Sequence, residues 1–222
     1  MKPRCPNQGN RALTLTEVLV VICVVVVLVA LFLPMLVRTS DGRRPVCLNN
    51  LKQIALAFKV WEGDHGDRYP MQVSVTNWGA MELSLTGDVA GIFCAMSNEL
   101  STPKILVCPA DTGRIAATNF ATDFNNGKIS YFVGLDAEDK YPKMLLSGDD
   151  NLVVNGVRVR PGILNLTRNT SVEWTKERIG KLHGSNPGNV ALADGSVQQT
   201  AALNFNSALM NISAATNRLV IP

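Results

Sequence analysis

Few side chains in this sequence have the types and spacing that enzyme chemistry requires. Only two histidines occur, His65 and His183, which leaves few parts for a histidine-based metal site or a catalytic triad. The metalloprotease, nucleophile-elbow, P-loop and dinucleotide-binding motifs do not occur in the sequence. None of the five cysteines forms a C-x-x-C pair, which argues against a zinc site. The sequence therefore predicts a protein without enzymatic activity.

Acidic residues in two loops are the groups that could hold an ion. Asp149 and Asp150 precede Asn151, and Asp64 lies three residues before Asp67. Carboxylate and amide oxygens are calcium ligands, yet acidic loop residues more often form solvated turns. No cofactor is therefore expected, and calcium is the one ion to consider at these positions. The net charge of +3 is too small to predict nucleic acid as a partner.

One carboxylate, that of Glu17, lies inside a long apolar run. Residues 13–37 read LTLTEVLVVICVVVVLVALFLPMLV, and Glu17 is the only charged residue among them. A helix of this length measures about 37 Å, which exceeds the roughly 30 Å of a bilayer core. The run is longer than the roughly 7–15 apolar residues of a secretory signal. We therefore predict a retained transmembrane helix over residues 13–37, and a carboxylate in such a helix usually has a partner.

The entrance to the apolar run carries the sharpest motif in the sequence. Residues 9–17 read GNRALTLTE and follow a short basic stretch. The motif resembles the N-terminus of type IV prepilins and type II secretion pseudopilins, where a basic leader precedes an apolar residue, Thr-Leu and a glutamate at the fifth mature position. The resemblance implies a leader over residues 1–12, cleavage between Ala12 and Leu13 by a prepilin peptidase, and N-methylation of Leu13. Ala12 stands where that family nearly always has glycine.

Two further residues of the run receive assembly roles from the same resemblance. Glu17 is expected to pair with the free amino terminus of a neighbouring subunit, which would neutralise both charges and set the subunit register. The alternative is a carboxylate that lies in the headgroup region without a role in assembly. Pro34 stands where these proteins often carry a helix-bending proline, although membrane helices also tolerate proline without further function.

A hinge and an amphipathic helix are predicted after the apolar run. Residues 38–45 read RTSDGRRP, in which Gly42 and Pro45 are expected to weaken or break the helix. Residues 47–61 then place apolar side chains on one face at three- and four-residue spacing. The members of that face are Leu48, Leu51, Ile54, Ala55, Phe58 and Trp61. We expect this helix to pack on a sheet.

The resemblance extends to two cysteine motifs. Cys47 opens the sequence CLNNLKQ, and Cys108 precedes Pro109. Related pilin-like proteins carry the motifs Cys-x-x-Asn-Leu-Lys-Gln and Cys-Pro together, so the resemblance implies a Cys47–Cys108 disulfide in an exported domain. Two buried free thiols are the alternative.

Short apolar segments predict the strands of an antiparallel sheet. The candidates are residues 105–108, 129–135, 143–146, 152–159 and 189–193. Asp194-Gly195 follows the last candidate and predicts a hairpin in which both turn residues have positive φ. This hairpin resembles the C-terminal hairpin of the same pilin-like proteins, where a histidine precedes Asp-Gly, although His183 lies one residue further away. Residues 201–211 predict a short helix.

Together these features predict a pilin-like α+β fold, in which a long N-terminal helix, transmembrane and then amphipathic, packs on an antiparallel sheet. Residues 46–222 would form the exported domain, on the periplasmic or extracellular side of a bacterial inner membrane.

The resemblance implies a structural subunit of a type II secretion pseudopilus or a type IV pilus-like filament. Its partners would be further copies of itself, other pseudopilins, the prepilin peptidase and the inner membrane. The alternative is a singly anchored extracytoplasmic binding protein or enzyme that uses the prepilin export route. A filament subunit needs both Glu17 and a processed Leu13, whereas an anchored domain needs neither.

Overall fold

The chain divides into two compact units, Met1–Thr39 and Ser40–Pro222. The structure is a computed structural model, and it describes residues 14–36, 43–167, 170–175, 188–200 and 216–222. The predicted leader, Ala12, Leu13, His183 and the predicted helix 201–211 lie outside the described residues.

The described part of the first unit consists of helix α1, Leu15–Leu36. Thr14 is its N-cap, because the Thr14 carbonyl accepts the first intrahelical hydrogen bond, from the Val18 N–H at 3.3 Å. Every side chain from residue 14 to residue 30 is exposed, on all sides of the helix. None of the helices in the described part of the chain combines the length and the apolar character that crossing a membrane requires.

The second unit begins with helix α2, Arg43–Asp64. The predicted apolar face is buried at Leu51, Ile54, Ala55, Phe58 and Trp61, while Leu48 is half-buried. This face packs against the sheet described below, as the spacing predicts. The predicted break at 38–45 is wrong at its last three residues, because α2 includes Pro45. Proline is tolerated in the first helical turn, where its missing N–H would have no intrahelical acceptor.

The strands and remaining helices follow α2 in the chain. Three short helices come first: α3 (Met81–Leu85), α4 (Val89–Ala95) and α5 (Ser97–Leu100). The strands in the described residues are β1 (Tyr131–Gly134), β2 (Leu145–Asp149), β3 (Leu152–Val154), β4 (Val157–Arg158), β5 (Gly162–Thr167), β6 (Val172–Trp174), β7 (Gly188–Leu192), β8 (Val197–Thr200) and β9 (Thr216–Ile221).

Six of these strands form one antiparallel sheet in the order β5-β9-β1-β2-β7-β8. Helix α2 lies against β2, β7 and β8 of this sheet. The central strands β1, β2 and β7 are buried at every residue, and they form the core together with the inner face of α2. A smaller sheet has the order β4-β3-β6. The second unit is therefore an α+β domain with a helix on an antiparallel sheet, the fold class that the sequence predicts.

The predicted strand at 105–108 is wrong. Pro103–Leu106 forms a 3₁₀ turn instead, with Pro103 in its first position and the Thr102 hydroxyl accepting a hydrogen bond from the Lys104 N–H at 3.4 Å. Threonine followed by proline favours the start of a helical turn, and this local chemistry outweighs the apolar run after it. The buried side chain of Leu106 then packs into the core.

The predicted strand at 152–159 is a hairpin of two strands, β3 and β4. Asn155 and Gly156 form its turn, with φ of 50° and 78°, so that Val154 pairs with Val157. Asn-Gly is the preferred sequence for a two-residue hairpin turn with positive φ at both positions, so this turn is readable from the sequence although the prediction missed it.

The Asp194-Gly195 hairpin is present between β7 and β8, but its turn differs from the prediction. Only Gly195 has a positive φ, of 80°. The Gly195 N–H donates to the Leu192 carbonyl at 2.9 Å, and the Leu192 N–H donates to the Ser196 carbonyl at 2.9 Å. The connection is therefore a three-residue loop with a left-handed glycine at its end, a loop in which Asp194 needs no positive φ.

Candidate functional site

Glu17 lies in the first turn of α1, where it forms a capping box with Thr14. The Glu17 carboxylate accepts hydrogen bonds from the Thr14 N–H and from the Thr14 hydroxyl, both at 2.8 Å to Oε2. The Glu17 N–H in turn donates to Thr14 Oγ1 at 3.4 Å. This reciprocal pair satisfies N–H groups that the start of a helix leaves without intrahelical acceptors. This role was not predicted from the sequence, although Thr-x-x-Glu is the signature of a capping box.

The other residues of the predicted processing and assembly motif are only partly described. Pro34 lies within α1, and nothing further is described of its side chain. Ala12 and Leu13 lie outside the described residues. Cleavage, methylation and an assembly role for Glu17 therefore stay predictions.

Cys47 and Cys108 form a disulfide, the pair that the resemblance implies. Both cysteines are fully buried, and the bond joins the start of α2 to the segment after the Pro103–Leu106 turn. Two hydrogen bonds accompany it: Asn50 Nδ2 donates to the Val107 carbonyl at 3.4 Å, and the Tyr131 hydroxyl donates to the Cys47 carbonyl at 3.5 Å. Disulfides persist in oxidising compartments, so this bond points to an extracytoplasmic location.

His65 has a structural role at the end of α2. Its ring stacks on the ring of Trp61 with centroids 3.6 Å apart, and His65 Nδ1 lies 2.7 Å from the Trp61 carbonyl oxygen. Both of these contacts are made with Trp61, in the last turns of α2.

Asp149, one of the residues considered for calcium, is fully buried at the end of β2. Its Oδ2 accepts hydrogen bonds from the backbone N–H and the side-chain amide of Asn189, both at 2.9 Å. Its Oδ1 has no hydrogen-bond partner among the described residues. Burial raises the pKa of Asp149 to about 7, the hydrogen bonds from Asn189 oppose this rise, and the nearby Asp150 and Asp111 carboxylates add to it.

The neighbouring Asp150 belongs to an ion-pair network. Arg114 Nη1 lies 2.5 Å from Asp150 Oδ2 and 3.7 Å from Asp111 Oδ2. Asp111 also accepts a hydrogen bond from the Ser130 hydroxyl at 2.8 Å, and Arg114 Nη2 donates to the Pro222 carbonyl at 3.3 Å. Asp150 thus neutralises a cation, while Asp149 is held by Asn189. In the described ranges, no group of three or more potential metal-ligating side chains lies together.

A cavity of about 510 Å³ opens above this network and is called the arginine cavity here. Among the described residues, its lining contains three arginines and a single acidic residue: Arg114, Arg158, Arg160 and Asp150, beside Asn151, Pro222 and apolar residues of the same segments. Arg158 and Arg160 are exposed, whereas the Arg114 side chain is only 10% exposed. The Arg114–Asp150 pair therefore neutralises the base of the cavity, and the more exposed part of its lining includes two arginines.

A second cavity, of about 470 Å³, has more acidic than basic residues and is called the carboxylate cavity. It is lined by Asp67, Arg68, Gln72, Glu138, Asp139 and Lys140. Lys59 borders it, with Nζ 2.5 Å from Asp139 Oδ1 and 2.6 Å from Glu62 Oε2. Burial lowers the pKa of Lys59, but its hydrogen bonds to Asp139 and Glu62 outweigh burial and raise that pKa overall.

Neither cavity was predicted from the sequence. Asp67, which it considered together with Asp64 for calcium, lines the carboxylate cavity. For the arginine cavity the one available signal is the spacing Arg158-Val159-Arg160, which places two arginines on the same side of an extended chain. Arg114 gives no such signal.

The fold and these sites define the class of the protein: an α+β protein with a helix on a six-stranded antiparallel sheet, tied by a disulfide. No protein-family model matches this chain, and comparisons with curated proteins and with solved structures find no match.

Proposed function

We propose that this chain is a structural subunit of a type II secretion pseudopilus or a type IV pilus-like filament. In this proposal residues 13–37 anchor the subunit in the bacterial inner membrane before assembly and pack against neighbouring subunits afterwards. The segment proposed for the membrane is this whole sequence run, which continues past the described residues at both ends. The α+β domain would be carried on the periplasmic or extracellular side.

The observation that carries the proposal is the exposed apolar surface of α1. From Thr14 to Ala30, every side chain is exposed, and only Thr14, Thr16 and Glu17 among them are polar. A helix that is apolar on all sides needs burial in lipid or against other chains. Valine, alanine and other compact side chains can pack closely between helices in a membrane. Such a helix would be buried in lipid before assembly and against the helices of other subunits in the filament.

The capping box gives Glu17 a geometry that suits an assembly role. Both hydrogen bonds from Thr14 end on Oε2, so Oε1 can accept a hydrogen bond from another chain. Cleavage before Leu13 would create an amino group one residue before Thr14, at the same end of the helix as Glu17. The amino group of one subunit could then pair with Glu17 of its neighbour, which would offset the cost of a carboxylate near lipid.

The test is mass spectrometry of the mature N-terminus together with filament yield, in cells that contain an active prepilin peptidase. We expect a mature chain that begins at Leu13 and carries one added methyl group, and we expect Ala12→Gly to speed processing. An intact Met1 on the purified membrane protein would refute processing.

Two substitutions separate the capping role of Glu17 from its charge. Glu17→Gln keeps a side-chain oxygen that can accept from Thr14, because glutamine also serves in capping boxes, but it removes the negative charge. Glu17→Ala removes both. If the charge pairs with a neighbouring amino terminus, both variants insert into the membrane and both fail to assemble. Normal filaments from Glu17→Gln would mean that Glu17 acts only as a helix cap, and they would contradict the assembly role.

The arginine cavity favours a second candidate, a singly anchored extracytoplasmic binding protein. Its volume of about 510 Å³ falls within the roughly 300–1,000 Å³ of small-molecule sites. Such a protein would need neither a processed Leu13 nor Glu17. Wild-type levels of folded membrane protein without any filament, together with an intact leader, would support this candidate over the first.

A further inference from the structure

The arginine cavity and the carboxylate cavity lie at opposite ends of the six-stranded sheet. Strand β1 begins at Tyr131, which pairs with Asp149 beside the arginine cavity. It ends at Gly134, and the chain then continues directly to Glu138 in the carboxylate cavity. Gln72 Nε2 fixes that end by donating to the Ala137 carbonyl at 3.2 Å. The two cavities are therefore separated by the length of the central strands.

The arginine cavity presents positive charge at its rim. Asp150 at its base already pairs with Arg114, and it is the one acidic side chain among the described residues that line the cavity. Arg160 is exposed and makes no ion pair with any described residue. A guanidinium at a concave rim is suited to a carboxylate, which it can bind through two hydrogen bonds.

The carboxylate cavity presents the complementary charge. Its cations contact other groups of the subunit: Arg68 donates to the Gln72 carbonyl, and Lys140 lies 5.6 Å from the ring centre of Tyr141. Glu138 and Asp67 are exposed, and neither forms an ion pair with the residues described. Two carboxylates thus remain available at the end of the sheet that lies away from Arg160.

We propose that the arginine cavity of one subunit receives the Glu138 and Asp67 carboxylates of the next subunit. The inference rests on the proposed filament function and names a contact between the exported domains. Because the two surfaces differ and lie at opposite ends of the domain, the contact is head-to-tail and can repeat without closing. Exposed ion pairs are individually weak, so this contact sets register and partner choice while α1 supplies most of the affinity.

Charge reversal in the full-length chain tests the contact. Arg160→Glu and Glu138→Arg should each reduce the yield of sheared filaments at least tenfold, because each places like charges across the interface. The double variant restores opposite charges in exchanged positions and should recover at least half of the wild-type yield. Lys104→Glu, which reverses an exposed cation outside both cavities, is the matched control and should assemble normally. Mapping of the Cys47–Cys108 disulfide checks that each variant is folded, and Arg160→Gln and Glu138→Gln replace any variant that is not.

The outcomes separate this inference from the function on which it rests. Wild-type filaments together with unaffected single variants would overturn the contact and leave the filament function intact. Defective single variants without recovery in the double variant would also overturn it, since Arg160 would then bind something other than Glu138. Absence of filaments from the wild-type chain in cells with an active assembly system would overturn both.

Discussion

The buried carboxyl of Asp149 should make the stability of this protein depend on pH. Desolvation dominates its environment, and folding raises its pKa from the ordinary 3.8 to about 7. Asn189 donates two hydrogen bonds to Oδ2, and the charged groups around it are Asp150, Asp111 and Arg114. We predict that Asp149→Asn, which resembles the protonated carboxyl and still accepts from Asn189, stabilises the protein at neutral and alkaline pH.

The sign and size of the effect follow from linkage. Below about pH 4 both the folded and the unfolded states carry a protonated Asp149, so its favourable contribution is fully present. Between about pH 4 and pH 7 only the unfolded state ionises, and stability falls by about 1.4 kcal/mol per pH unit. Above about pH 7 both states are ionised and the decline ends. The whole span from 3.8 to about 7 corresponds to about 4 kcal/mol.

The assay compares urea unfolding of the wild type and of Asp149→Asn in detergent at several values between pH 4.5 and pH 8.5, followed by tryptophan fluorescence. The difference in unfolding free energy should grow in favour of the variant by about 1.4 kcal/mol per pH unit up to about pH 7, then level off. Asp194→Asn, an exposed acid on the β7–β8 hairpin, is the matched control. A difference that is constant with pH, or that shrinks as pH rises, would refute the reasoning.

Three further variants test the packing and the backbone. Replacing Cys47 and Cys108 by serine opens a loop closed over 61 residues and should lower the unfolding free energy by about 4 kcal/mol; equal stability of the oxidised wild type and the variant would contradict this. Gly134→Ala would place a Cβ 1.9 Å from the Leu145 carbonyl oxygen. The free energy of unfolding in urea should therefore fall by an amount near the upper end of roughly 1–3 kcal/mol. An unchanged urea midpoint would show that β1 and β2 can move apart at little cost. Trp78 is 84% exposed and has a φ of 66°. Trp78→Gly should therefore raise the thermal unfolding midpoint, because it relieves roughly 1 kcal/mol of backbone strain. A lower midpoint would mean that contacts of the exposed ring stabilise the fold by more than this strain costs.

Helix α2 was predictable because its signal is local. Apolar residues at three- and four-residue spacing define one face of a helix in any context, and this face is the buried one from Leu51 to Trp61. The hairpin at Asp194-Gly195 was predictable for the same reason, since the turn chemistry lies within a few residues. The error there, a positive φ at Asp194, arose because a two-residue and a three-residue loop can share the same Asp-Gly sequence.

Short elements were predicted less well because their local signals conflict. The 105–108 segment has the composition of a strand, yet the preceding Thr102-Pro103 starts a 3₁₀ turn that carries Leu106 into the core. Helices α3 to α5 are only four to seven residues long, too short to show a clear helical period. Their conformation depends on packing against α2 and against one another.

The sequence by itself determined the apolar run of residues 13–37, the buried face of α2, the Cys47 and Cys108 motifs and the positions of the sharpest turns. Each of these depends on residues a few positions apart. The tertiary structure decided the strand order, in which β9 lies between β1 and β5. It also decided the burial that raises the pKa of Asp149. The arginine cavity likewise depends on it, because Arg114 contacts Pro222 across 108 residues of chain. Such pairings depend on which distant segments pack together, and the spacing of neighbouring residues does not specify this.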